Sequence, residues 1–292
     1  MHPIIIMYMS KKQLNIVFLI AGSEPLGSAG MQADIKAITA CGGYAACALT
    51  GIVDEDTRHV KSVTPLPAEL VVSQAESFLG DVGAQCIKTG VLPTAEIIDG
   101  VAGLLKRYPD TKKVIDPVIV DSNGVQLVSD ASIGAYKEKL FPLATLITPN
   151  FREAEVLLKR RITNISEDIK ELGQWGNSVI VKSMQSQVYA GHGSSAQDML
   201  SDFLYNAQTG EVREFRKRRI PTHNVNGTGD SFSSAIATYL AKGYDLEKAV
   251  EKGEEFINKA IALGAEYEFG HGYGPVHPCF MEDKVIHERI YN

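Results

Sequence analysis

The chain is poor in cysteine. Its four cysteines, Cys41, Cys47, Cys86 and Cys279, form no C-x-x-C pair. That spacing excludes the common zinc sites and offers no disulfide framework. Free thiols in a reducing cytoplasm are the expectation. Long apolar runs are missing as well, and no segment reaches the roughly 18 apolar residues of a membrane span. The opening MHPIIIMYMSKKQLNIVFLIAG has short apolar stretches split by Lys11 and Lys12. No small-residue cleavage pattern follows, so residues 14–20 read as a first strand and not as a leader. Positive charge is not in excess. The formal net charge is -6, which argues against a nucleic-acid partner. One basic run, at 216–219, is expected to be a solvated strand face. Several chemical motifs are absent too. There is no G-x-x-x-x-G-K-[ST], no H-E-x-x-H and no G-x-S-x-G, which excludes a P-loop and weakens a zinc protease or a serine hydrolase. GTGDSF lacks the third glycine of a dinucleotide fingerprint and does not follow the first strand.

What is present is an alternation. The chain of 292 residues, 45% apolar and 22% charged, can bury a large α/β core. LNIVFLI (14–20) is a continuous apolar run, as in a strand covered on both faces. A glycine-rich loop (21–30) leads into a helix (31–42). The pattern then predicts strands at 44–53, 85–91, 112–120, 144–150 and 177–183. It predicts helices at 67–79, 94–107 and 130–140, and a short one from Phe151. Two further strands, 202–206 and 211–220, read as an edge hairpin. The last third is helical, with apolar residues from Leu246 to Ile261 at i, i+3/i+4 spacing. Strands separated by helices imply a mainly parallel sheet between helical layers, with ligands at the carboxyl ends of the strands. The loops to inspect are therefore 21–30, 54–59, 91–94, 116–124, 148–153 and 182–187. With no long linker and no repeat, a single domain over 1–292 is the expectation.

HNVNGTGDSFSSAIATYLAKG (223–243) carries the strongest chemical signal. A helix begins near Asp230. Its first turn has unpaired N–H groups with partial positive charge. Gly227 and Gly229, flanking Thr228, allow close backbone approach, and the combination suits a phosphate. Asp230 could take a proton from a hydroxyl there. It could equally be a helix cap, worth about 0.5–2 kcal/mol, and residue types alone leave both roles open. Phosphoryl transfer needs positioning, a divalent metal and cationic or N–H donors. Asn150 and Glu153, three apart at a strand-to-helix junction, and Asp116, at another strand end, offer oxygen ligands that suit magnesium. Lys182 ends a further strand. Glu153 as a plain first-turn charge and Lys182 as a surface cation are the alternatives. Asp34, one turn into the first helix, could point back at a ligand held by the opening loop, or simply face solvent.

These stretches resemble the hydroxymethylpyrimidine and phosphomethylpyrimidine kinases of the ribokinase-like superfamily. IAGSEPLGSAGMQADIKAITACGGYA, IKTGVLPTAEII, VIDPVIV, LITPNFREAEVL, NGTGDSFSSAIA and GHGYGPVHP occur in that family's order, from about residue 14 to 279. The resemblance implies a three-layer α/β/α sandwich with a central, mostly parallel sheet. It implies ATP with Mg2+, and a small heteroaromatic alcohol as acceptor. By resemblance, Asp230 is the catalytic base, and Gly227, Thr228 and Gly229 form the anion hole beside Lys182. Asn150 and Glu153 match the metal and phosphate motif. Ala29 and Asp34 match ring contacts, and Val91 and Val118 match pocket walls. Such proteins are often dimers, although no feature of this sequence identifies an interface.

Several positions depart from the family pattern. The base is Asp230 where most of these kinases have cysteine. Glu55 stands where a glutamine usually meets the ring and its amino group. Glu24 replaces an aspartate, and VKSMQS replaces KGGH. An ionised Glu55 accepts but does not donate, which implies a changed ring or tautomer preference. The expected acceptor is the aminopyrimidine alcohol of thiamine synthesis, with its monophosphate as a further acceptor. Pyridoxal or pyridoxine is the alternative, and a non-catalytic ligand-binding protein is a third reading.

Overall fold

A computed structural model describes residues 13–120, 126–185 and 199–279. Strand β1 (Ile16–Ser23) is followed by helix α1 (Gly30–Ala40), then by strands β2 (Tyr44–Glu55) and β3 (Val60–Pro65). Helix α2 (Ala68–Asp81), strand β4 (Cys86–Thr89), helix α3 (Ala95–Leu105) and strand β5 (Lys112–Ile115) come next. Helix α4 (Asp130–Ala135), strand β6 (Leu146–Ile147), helices α5 (Phe151–Leu158) and α6 (Ile165–Leu172) and strand β7 (Ser178–Gln185) follow. Strands β8 (Met199–Tyr205) and β9 (Val212–Arg218) precede helices α7 (Thr228–Ala241) and α8 (Leu246–Gly264).

The described strands form one sheet in the order β3-β2-β1-β4-β5-β6-β7-β8-β9. Pairing is parallel from β2 through β7 and antiparallel at both ends. The apolar run of β1 explains its central place. Successive side chains point to opposite faces. Phe18 and Ile20 enter one core with α2, α3, α5 and α6. Val17 and Leu19 enter the other with α1, α7 and α8. Both faces must be covered, so α/β/α layering follows.

The chain leaves β1 toward β2 on one side, and β4 pairs with β1 on the other. This change of direction opens a crevice at the carboxyl ends of β1 and β4. The loop after β1 and the residues after β4 both face it.

Some boundaries differ from the sequence reading. The strand expected at 112–120 stops at Ile115. Beyond it Pro117 cannot donate to a ladder, and Val118 has φ 43, a left-handed conformation that a β-branched residue rarely adopts. The strand expected at 144–150 shrinks to two residues, because Pro149 and the helix-capping Asn150 end it. The helix expected at 130–140 is α-helical only to Ala135 and then widens by a turn. The sequence reading passed over β3 and α6. Strand β3 is an exposed edge strand and lacks the apolar alternation of a half-buried one. The expected hairpin is present as β8–β9. The basic run on β9 and beyond is partly ion-paired: Lys217 meets Asp202 at 2.6 Å and Glu254 at 2.9 Å, and Arg216 meets Glu214.

Candidate active site

A cavity of about 290 Å3 lies at the carboxyl ends of the central strands. Its rim comes from the loop after β1, the β2–β3 hairpin, the 116–120 turn and the start of α7. The first loop is folded by its own acid. Glu24, nearly buried, accepts from the N–H groups of Leu26 and Ser28 at 2.5 Å and of Ala29 at 2.8 Å. The hairpin tip is tied to the C-terminal glycine-rich segment, where Tyr273 N–H donates to Thr57 O at 2.7 Å.

The start of α7 forms the floor. Gly227 has φ 73, and a Cβ there would sit 1.8 Å from the Ser28 carbonyl oxygen. Only glycine lets these two loops meet. No side chain caps the helix, so its first N–H groups have no partner inside it. The Lys182 ammonium lies over this end, 3.2 Å from where a Cβ on Gly229 would be. Backbone N–H groups and a cation thus converge on one point, the chemistry that holds an anion. Lys182 is not a surface cation: it is 7% exposed.

Asp230 is not a cap. The N-cap is Gly227, and the Asp230 side chain, 18% exposed, turns to the cavity. Its Oδ2 accepts from Gly30 N–H at 3.2 Å, and its Oδ1 faces Lys88 Nζ at 3.5 Å.

Asp116, Asn150, Glu153 and Lys182 come together opposite. Lys182 Nζ donates to Asp116 Oδ1 at 3.2 Å, and Ser233 Oγ donates to Asp116 Oδ2 at 2.9 Å. Burial would raise the Asp116 carboxyl, but the Lys182 and Lys88 cations hold it below the usual range. Asn150 and Glu153 form a capping box. Asn150 Oδ1 accepts from Glu153 N–H at 2.9 Å, and Glu153 Oε2 accepts from Asn150 N–H at 2.8 Å. Glu153 Oε1 takes the N–H of Ile119 at 2.8 Å, which pins the irregular turn after β5. Burial pushes the Glu153 carboxyl up to about 7; Lys182 opposes this and Asp116 adds to it.

The donor set fits magnesium held mainly through water. The oxygens are hard, and the two carboxyls repel each other, a field that a dication relieves. Asn150 Oδ1 and both Glu153 oxygens are engaged with backbone N–H groups. Among the described residues no cluster of three acidic, histidine or cysteine side chains stands ready to enclose a bare ion.

The other end of the cavity is apolar. Ala29, Val53, Val63, Val91, Val118 and Val120 line it. Glu55 enters from the end of β2, and its Oε1 has no hydrogen-bond partner among the described residues. Burial first, then the charges of Glu24, Asp230 and Asp56, push its carboxyl up to about 7. Asp34 stands apart from the other expected ring contacts. It is fully buried and does not line the cavity; it is bonded to Lys88 and Ser234 beneath Asp230. The sequence reading gave Lys88 no role. A signal existed, because a lysine inside a buried parallel strand requires a partner.

The family model for phosphomethylpyrimidine kinase matches residues 24–277. The thiamine biosynthesis bifunctional protein ThiED of Geobacter sulfurreducens is 35% identical over 273 residues, covering 92% of this chain and 53% of that protein. The chain therefore spans about half the length of that relative. The hydroxymethylpyrimidine/phosphomethylpyrimidine kinase of Mycobacterium tuberculosis is 34% identical, covering 90% of this chain and 94% of that one. Among solved structures, the Staphylococcus aureus pyridoxal kinase in complex with ADP superposes with a TM-score of 0.77 at 30% identity, covering 91% of this chain and 94% of the other. The fold is the ribokinase-like α/β/α sandwich.

Proposed function

Because the chain belongs to the phosphomethylpyrimidine kinase family and is a phosphotransferase, we propose that it phosphorylates 4-amino-5-hydroxymethyl-2-methylpyrimidine with ATP, on the route to thiamine. The monophosphate of that alcohol is the second acceptor. The observation that carries this reading is the Asp230 carboxylate beside an uncapped helix start that Lys182 overhangs. The ring packs on the valine wall, with Glu55 meeting its polar edge. Asp230 takes the proton of the hydroxymethyl group. The freed oxygen forms a bond to the terminal phosphorus of ATP, and the phosphorus–oxygen bond to ADP breaks. The N–H groups of Gly229 and Asp230 and the Lys182 ammonium hold the charge on the migrating group, the stabilisation that dominates such transfers. Magnesium, when bound near Asp116 and Glu153, supplies charge neutralisation on the phosphates. The four cysteines are free, in keeping with a cytoplasmic site of action.

The test is ADP release with the pyrimidine alcohol, its monophosphate and pyridoxal side by side, with and without magnesium. Magnesium-dependent turnover of the first two is expected. Turnover of pyridoxal alone would move the protein to the second reading, which the pyridoxal kinase likeness and Glu55 favour. Ring binding without turnover of any of the three would end the kinase reading.

A further inference from the structure

Lys88 is a charged side chain with no exposure at all, in the middle of β4. Its Nζ lies 2.6 Å from Asp34 Oδ1 on α1 and 3.5 Å from Asp230 Oδ1 on α7. Asp34 Oδ1 also accepts from Ser234 Oγ at 2.7 Å, one turn beyond Asp230. Asp34 Oδ2 has no partner among the described residues. Burial pulls the ammonium toward neutrality, but Asp34 and Asp230 outweigh it and hold Lys88 charged. A buried ion pair is seldom worth its desolvation as a stabilising device. Here one end of it touches the carboxylate at the cavity floor.

We propose that Lys88 is a positioning residue for phosphoryl transfer: anchored by Asp34, its ammonium fixes the Asp230 carboxylate where it takes the acceptor's proton. This rests on the reading of Asp230 as the base. Two contacts then define that carboxylate, Lys88 on Oδ1 and the Gly30 N–H on Oδ2. The remaining lone pairs face the cavity. Lys88 moves no proton itself. It acts as the third member of a catalytic set, the group that orients the base.

The experiment is a double-mutant cycle on the full chain. Lys88→Met alone leaves Asp34 buried and unpaired, and it can fail to fold. The pair K88M/D34N removes both charges together and avoids that cost. In K88M/D34N, kcat for the pyrimidine alcohol should fall at least about tenfold, with both KM values changed less than about threefold. In a D230N background the same pair should change kcat by less than about twofold, because the group it orients is gone. A charge-free pair within threefold of the parent kcat overturns the proposal. So does an equal fold-loss with and without Asp230, which marks a merely structural role. If D230N alone keeps its turnover, the base reading fails first and the positioning role falls with it. That outcome is distinct, because it is read before the pair is introduced.

Discussion

Asp230 sits on the cavity floor with both carboxylate oxygens engaged and a face left open to ligand. Replacing it by asparagine keeps the shape and removes the proposed base. Asp230→Asn should lower kcat by about 10²–10⁴ while moving the thermal midpoint little, since Asp34 at 2.6 Å still pairs the buried Lys88 charge and the amide oxygen still accepts from Gly30 N–H. A steady-state assay beside a melting curve checks both. Glu55 makes a different argument. Below about pH 7 its carboxyl is protonated, with one donor and one acceptor, as a glutamine amide has. Above that it only accepts. KM for the pyrimidine alcohol should therefore rise between about pH 6 and 8, and Glu55→Gln should flatten that rise. A parent KM that stays level over this range, or falls, refutes the assignment. Asp230 and Lys182 were legible in the sequence because each stands near a strand end or a helix start, and Glu55 because it stands where the resembling family has a glutamine. Lys88 was not, because its partners are 54 and 142 residues away.

At the level of the element, the start of α7 depends on glycine. Ala at Gly227 would meet the Ser28 carbonyl at 1.8 Å in a left-handed conformation. Gly227→Ala should push the first loop off α7, cost more than about 1 kcal/mol of stability and weaken acceptor binding. Gly229→Ala meets the tip of Lys182 at 3.2 Å and Asp116 Oδ2 at an ordinary 4.0 Å. It should leave the melting curve close to the parent's and raise KM for ATP. Thermal melts and ATP titrations separate the two. Equal effects of both substitutions would contradict the distinct roles drawn here. The glycines themselves were visible in the sequence. The oxygen that makes Gly227 indispensable comes from a loop some 200 residues earlier, and no local pattern reports that.

Over the molecule as a whole, four carboxyls among the described residues are raised by burial: Asp34, Glu55 and Glu153 to about 7, and Glu254 to about 8. Each lies above its ordinary value of 3.8 or 4.5. The folded protein therefore holds protons that the unfolded chain has already released. Their contribution is fully present below about pH 4 and is lost as pH rises through about 7 to 8. The urea midpoint should fall between about pH 5 and 8, and Glu254→Gln should reduce that fall. A midpoint that rises over this window would contradict the burial assigned to these groups.

The alternation of strands and helices, the two-faced cover of β1 and the glycine-flanked start of α7 were determined by the sequence alone. Each depends on spacing over a few residues: period two in the strands, a turn-length period in the helices, glycine at a helix start. The tertiary structure decided the rest. It cut the strands after Ile115 and Ile147, added β3 at the edge, and turned Asp34 from the cavity to Lys88. The placing of Asp34 depends on which distant side chains share a buried space. Burial makes an unpaired charge costly enough to choose its partner, and that choice is made only once α1, β4 and α7 have packed together.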